Sequence, residues 1–210
     1  MAQSPVKALR LYGVAASEIR GATSLAEGTS LVHFRQLGAV VEEGDYTKID
    51  VTAEELEKYQ RVVEEVYSHT PILPAPPGTV FKSEETLLRW LELHYFSLVE
   101  ALGQVEGHAA ARLTLSVGEA VKNVEATKKF QTLASEALRS FRKSSAATVT
   151  HPPLDGEEGI IAKASFLVET EKWQEFADAV AAEAKRHREF DFNLTGPWPP
   201  YDFVQMQFGG

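Results

Sequence analysis

Apolar residues first recur at the strand period in Ala8–Val14 (ALRLYGV), which predicts a strand with Leu9 and Leu11 on one side. A Gly- and Ser-containing stretch, Ser17 to Ser30, separates it from Leu31–Glu43 (LVHFRQLGAVVEE), which predicts two short strands hinged at Gly38. Thr52 then opens a helix. Thr52 and Glu55 have the spacing of a capping box. Leu56, Tyr59, Val63, Val66 and Tyr67 form its core face, opposite a solvated face of Glu54, Lys58, Arg61 and Glu65. Pro71–Phe81 (PILPAPPGTVF) cannot be helical, because its four prolines fix φ and remove amide donors. It predicts an ordered inter-helix loop with Leu73 and Phe81 buried. Ser83, followed by Glu84 and Glu85, restarts a helix that runs to about Gly103. Its stripe of Leu87, Leu91, Tyr95, Leu98 and Leu102 is widened by Leu88, Trp90, Phe96 and Val99. A helix this apolar is expected to be buried on more than one side, between the two halves of the molecule.

The second half predicts a strand at Ala109–Val117 and a helix at Val121–Arg142 with Phe130, Leu133, Ala137 and Phe141 inward. A loop from Ser144 to Gly159, with a short strand at Ala147–Thr150, leads to a strong strand at Gly159–Glu169. Thr170 caps a further helix with Trp173, Phe176, Ala177, Val180 and Ala184 inward, and Phe190–Leu194 is the last strand. This β-α-β-β-α-β order predicts a ferredoxin-like domain, with Leu113, Leu115 and Val117 supplying the apolar side of its first strand. The fold class is α+β, as two small α/β domains. Residues 1–104 carry the long apolar helix, and residues 105–210 form an antiparallel sheet with helices on one face, followed by an aromatic and proline-rich tail.

Composition narrows the function more than the fold. A hydrophobic content of 44% suits a folded protein, and a formal charge of −9 repels phosphate backbones and anionic membranes. The absence of cysteine excludes disulfides, thiolate metal sites and cysteine nucleophiles. No signal peptide is evident and no apolar stretch approaches the roughly 20 residues of a membrane span. These features predict a soluble, cytoplasmic protein with neither nucleic acid nor membrane as a partner.

Catalytic signals are weak. His33, His69, His94, His108, His151 and His187 show no H-x-x-x-H or H-E-x-x-H spacing, so no helix face offers two ligands to one metal. His94 reads as a packed histidine, and His187 with Lys185, Arg186 and Arg188 as the basic end of a helix. No nucleophile elbow, dinucleotide fingerprint or P-loop occurs. The reading is of a non-enzyme, with no catalytic, metal or cofactor residues and no cofactor. The alternative is a small-molecule enzyme or sensor on the ferredoxin-like domain, with a pocket near His94 or Trp173.

Two segments stand apart. In LTGPWPPYDFV, Leu194 to Val204, prolines at 197, 199 and 200 hold Trp198, Tyr201 and Phe203 on a stiff chain. Such aromatics either staple a tail over its own domain or form a protein-binding epitope. The first option puts Trp198 and Tyr201 against the second domain, with Phe203 near the first domain or a partner.

PILPAPPGTVF resembles the central signature of the gas vesicle protein F/L (GvpF/GvpL) family at Pro71, Leu73, Pro74, Gly78, Thr79, Val80 and Phe81. The tail resembles its terminal G-P-W-P-P-Y-x-F motif at Gly196, Pro197, Trp198, Pro199, Pro200, Tyr201 and Phe203. The opening strand, ending Leu11 to Val14, also fits. Pro76 and Pro77 replace an Arg-Phe pair, and Gly107–Arg112 departs from a Glu-aromatic-Gly-Val-Lys run. The resemblance implies an accessory role in gas vesicle formation, with the hydrophobic major shell protein and other accessory proteins as partners. It makes the matched motif residues candidates for partner binding.

Overall fold

The structure is a computed structural model that describes residues 7–17, 28–44, 51–118, 124–152 and 159–204. Its contacts divide the chain into two compact units. One contains the described residues as far as Glu106 together with Val204, and the other contains those from Gly107 to Phe203.

The first unit is built on an antiparallel sheet. Its strands are β1 (Ala8–Ala16), β2 (Ser30–Phe34), β3 (Leu37–Gly44), β4 (Ile72–Pro74) and β5 (Val80–Phe81). The order is β2-β3-β1-β4, with β5 also pairing with β1. The β2–β3 turn falls at Arg35–Gln36, where Arg35 takes a φ of 54°, and not at Gly38, which lies inside β3. A side chain on Gly38 would lie 3.3 Å from the Ala16 carbonyl oxygen, so this glycine serves close strand packing.

β1 is central and buried on both faces, not on one. Leu9 and Leu11 join one core cluster, while Arg10 and Tyr12 face the helix on the other side. Tyr12 is the extra residue of a bulge between Leu11 and Gly13. The bulge moves the alternation by one position, so Val14 continues the Leu9 and Leu11 face.

Helix α1 (Ala53–Tyr67) packs on the Tyr12 side through Tyr59, whose ring stacks at 6.2 Å from that of Tyr12. Tyr59, Val62, Val63 and Val66 are buried, whereas Leu56 is exposed. Thr52 caps the helix by accepting from the Glu55 amide, but the Glu55 carboxylate turns to Arg10 and leaves the capping box half formed. The opposite sheet face is covered by α2 (Glu84–Leu93) and α3 (Tyr95–Val105) through Leu87, Leu91, Tyr95 and Leu98. The single predicted helix is therefore two, broken at His94 with φ −100° and ψ 8°. Ser83 and Thr86 form a complete capping box at the start of α2.

The second unit has strands β6 (His108–Ser116), β7 (Ala147–His151), β8 (Ile160–Glu169) and β9 (Asp191–Trp198) in the order β7-β8-β6-β9, all antiparallel. Helices α4 (Val124–Arg142) and α5 (Trp173–Arg186) connect them. This is the ferredoxin-like order. The predicted start of α4 at Val121 lies outside the described residues. Ala111, Leu113, Leu115, Ala164, Phe166 and Val168 alternate onto the helix side, against Ala137, Phe141, Phe176 and Val180. Two local expectations fail. Thr170 starts a 3-10 turn to Lys172, and α5 begins after it without a side-chain cap. β9 runs past Leu194 to Trp198, because an edge strand tolerates a proline at a bulge.

Candidate interaction surfaces

The central motif is not a plain loop, because its two ends pair with β1. Leu73 lies opposite Val14, and Phe81 opposite Leu9. Gly13 permits the first pairing, since a side chain there would meet the Leu73 carbonyl oxygen at 2.7 Å. Between the two strands the Thr79 amide donates to the Pro76 carbonyl at 3.2 Å, with Gly78 at φ 85°. Proline at the second position and glycine at the third suit such a turn, which gives Pro77 a local structural reason. The Thr79 hydroxyl also donates to Pro76, at 2.6 Å, and the Thr79 carbonyl accepts from Leu11. Leu73 and Pro74 are buried and Pro71 is half-buried. Phe81 is half-buried rather than buried, with its ring 5.7 Å from that of Trp90. Pro76 and Pro77 are exposed.

The terminal motif is partly strand. Gly196 and Pro197 form a bulge opposite Ala111, and the peptide between them is cis. A side chain on Gly196 would meet the Ala110 carbonyl and the Trp173 ring at 2.7 Å, and its φ of 129° excludes other residues. Trp198 is 37% exposed, and its indole donates to the Thr195 hydroxyl at 3.2 Å. It is thus less covered than a stapled tail requires, because β9 carries it along the sheet edge. Pro199 and Pro200 are buried, while Pro197 is exposed and Tyr201 and Phe203 are half-buried.

Asp202, between those two aromatics, reaches the helix-free face of the second sheet. It accepts from Ser165 at 2.6 Å and from Arg112 at 2.8 Å. His151 approaches Ser165 at 2.9 Å and Asp202 at 3.7 Å. Burial by itself raises the Asp202 pKa, but the hydrogen bonds from Arg112 and Ser165 and the nearby positive charge outweigh it and hold the carboxyl below its ordinary value. Serine, histidine and aspartate meet here without triad geometry, since the serine hydroxyl donates directly to the carboxylate. The arrangement fastens the tail. Sequence reading did not bring these four residues together, because each is unremarkable in its own segment.

Leu93 and Phe96 were also missed as surface features. They flank the break at His94 and are 79% and 81% exposed. Helical spacing puts Phe96 on the widened apolar stripe, but the break rotates it outward. The His94 ring lies 5.2 Å from that of Trp90. Within the basic helix end Arg186 pairs with Glu183, and His187 lies at 3.3 Å from Glu183 and 3.2 Å from Glu189. Among the described residues no group of three or more His, Cys, Asp or Glu could hold a metal ion, and no helix is long and apolar enough to cross a membrane.

These features define an α+β protein of two antiparallel-sheet units, the second ferredoxin-like, whose two motifs are structural seams with exposed margins. A family model described as gas vesicle synthesis protein GvpL/GvpF matches residues 8–129 and 118–205, and the chain belongs to that family. It is 29% identical over 187 residues to gas vesicle protein F1 of Halobacterium salinarum, covering 88% of this chain and 84% of that one. It is 25% identical over 191 residues to gas vesicle protein F of Haloferax mediterranei, covering 88% and 85%. The fold is shared with the crystal structure of gas vesicle protein GvpF from Anabaena, with a TM-score of 0.84, 15% identity and coverage of 97% and 98%. GvpF from Microcystis aeruginosa gives 0.74 and 16%, covering 95% and 99%. The family supports a gas vesicle accessory role for this chain.

Proposed function

We propose that this protein assists gas vesicle assembly by binding the small hydrophobic major shell protein, and other accessory proteins, in the cytoplasm and at the growing vesicle. Shell subunits must turn apolar surface towards gas, so before assembly they need a partner that masks it. An acidic chain keeps such a complex dispersed. The observation that carries the binding step is the exposed pair Leu93 and Phe96 at the helix break. Trp198 and Pro197 add a second apolar margin, held out by a strand edge and two buried prolines. In this reading Leu73, Pro74, Gly78, Thr79, Phe81 and Gly196 shape the surfaces, and Pro71, Tyr201 and Phe203 border them.

Co-expression of a tagged chain with the shell protein tests this. The shell protein should co-purify with the wild type. Capture should fall about tenfold or more in Leu93→Ser/Phe96→Ser or in Trp198→Ala, with little change in melting temperature for the helix-break variant. Undiminished capture by both variants would overturn the proposal.

A further inference from the structure

Strand β7 is an edge of the second sheet, and among the described residues no strand pairs with its outer side. Native edges are ordinarily blunted by charge, proline or a covering element, because their free amides and carbonyls can template another strand. β7 has neither proline nor a lysine, arginine, aspartate or glutamate in Ala147-Thr148-Val149-Thr150-His151, and the first proline, Pro152, lies just past its end. Its Thr-Val-Thr centre favours extended backbone. The opposite edge, β9, carries Asp191 and Pro197.

Exposed cations precede this edge. Arg139, Arg142 and Lys143, at and just beyond the end of α4, are exposed and form no ion pair among the described residues. Lys143 lines a hollow of about 460 Å³ with Ser144, Ser145 and the Glu169–Lys172 pair, and Glu175 lies on the same wall. At the other end of β7, His151 and Lys163 line a hollow of about 230 Å³ with Arg112 and its partner Asp202. An open edge preceded by exposed cations, on a chain of net charge −9, selects its partner by charge.

We propose that β7 is a docking edge for an extended, acidic segment of another polypeptide. The segment adds a fifth strand to this sheet and places its carboxylates near Arg142 and Lys143. A second copy of this chain fits less well. Antiparallel pairing of β7 with itself would set the Arg142 and Lys143 end of each copy against the His151 end of the other, and Ala147–His151 carries no carboxylate to meet them. Nucleic acid gains nothing from a backbone ladder. This inference stands apart from shell-protein binding.

The test uses the full chain and a dye-labelled peptide, EETVTVTEE, followed by fluorescence anisotropy at low salt. Saturable binding is expected. It should weaken about tenfold or more for the Arg142→Glu/Lys143→Glu variant, for the same peptide N-methylated at alternate amides, and for KKTVTVTKK. The double variant should keep the wild-type melting temperature, and Phe96→Ser should leave peptide binding unchanged, which separates this site from the shell-protein surface. Absence of saturable binding would overturn the proposal. So would equal binding of the lysine-flanked or N-methylated peptide, equally tight binding of a duplex DNA oligomer, or a sedimenting dimer that the double variant abolishes.

Discussion

Ser165 has no solvent exposure although it lies on the helix-free face of its sheet. Asp202 explains this, since it covers the hydroxyl and takes its hydrogen bond. The tail is therefore held by a charge as well as by aromatics. The folded chain keeps the Asp202 carboxyl below its ordinary pKa, so as pH falls the unfolded chain takes up the proton first. The stabilisation is whole above the ordinary aspartate value, about 3.9, and is lost as pH falls through the depressed one. Asp202→Asn should lower the urea midpoint at neutral pH and flatten its decline in acid. Parallel declines in the two proteins would contradict this role. The stiffness of the tail was legible from its prolines. The partners of Asp202 were not, because Ser165 and Arg112 lie 37 and 90 residues away along the chain.

Helix α1 is tied to its sheet by an ionic network. The Arg10 side chain, only 3% exposed, pairs with Glu55 on α1 and approaches Glu42 on β3 at 3.9 Å. Glu42 also accepts from Tyr12 at 2.8 Å and from Lys58 on α1 at 2.6 Å. Removing the buried cation leaves two carboxylates without their shared partner. Arg10→Ala should therefore reduce the unfolding free energy by about 3 kcal/mol, near the low end for breaking a buried pair because Glu55 still sees solvent. Removing the less buried partner with Lys58→Ala should cost less, about 1 kcal/mol or below. Urea melts of the two variants check both values, and equal losses would refute the ranking. The break at His94 was not legible, since helical periodicity passes unaltered through one displaced residue. Gly38 misled for a related reason, because glycine marks close packing as readily as it marks a turn.

At the scale of the molecule, two motifs far apart in sequence serve the same structural purpose. Each continues a sheet and then leaves part of itself at the surface, as with Pro76 and Pro77 in the first unit and Pro197 and Trp198 in the second. Such a protein can act by holding surfaces in place. Deleting its gene, in a host without a second family member, should block or reduce gas vesicle formation without loss of a metabolic activity. Buoyancy and electron microscopy of the deletion strain report this, and normal vesicles would refute it.

The α+β class and the β-α-β-β-α-β order followed from sequence alone, because most strands and helices here bury one face, and one buried face leaves its period in the sequence. The two motifs were also legible, because proline and glycine impose backbone conformations locally. Tertiary structure decided the rest. It buried β1 on both faces, where period alone showed one. It carried β9 through a proline, because the strand lies at an edge. It turned Phe96 outward at a helix break and brought Asp202 to Ser165 and Arg112. Each of these depends on neighbours remote in sequence, and single-sequence periodicity contains no term for them.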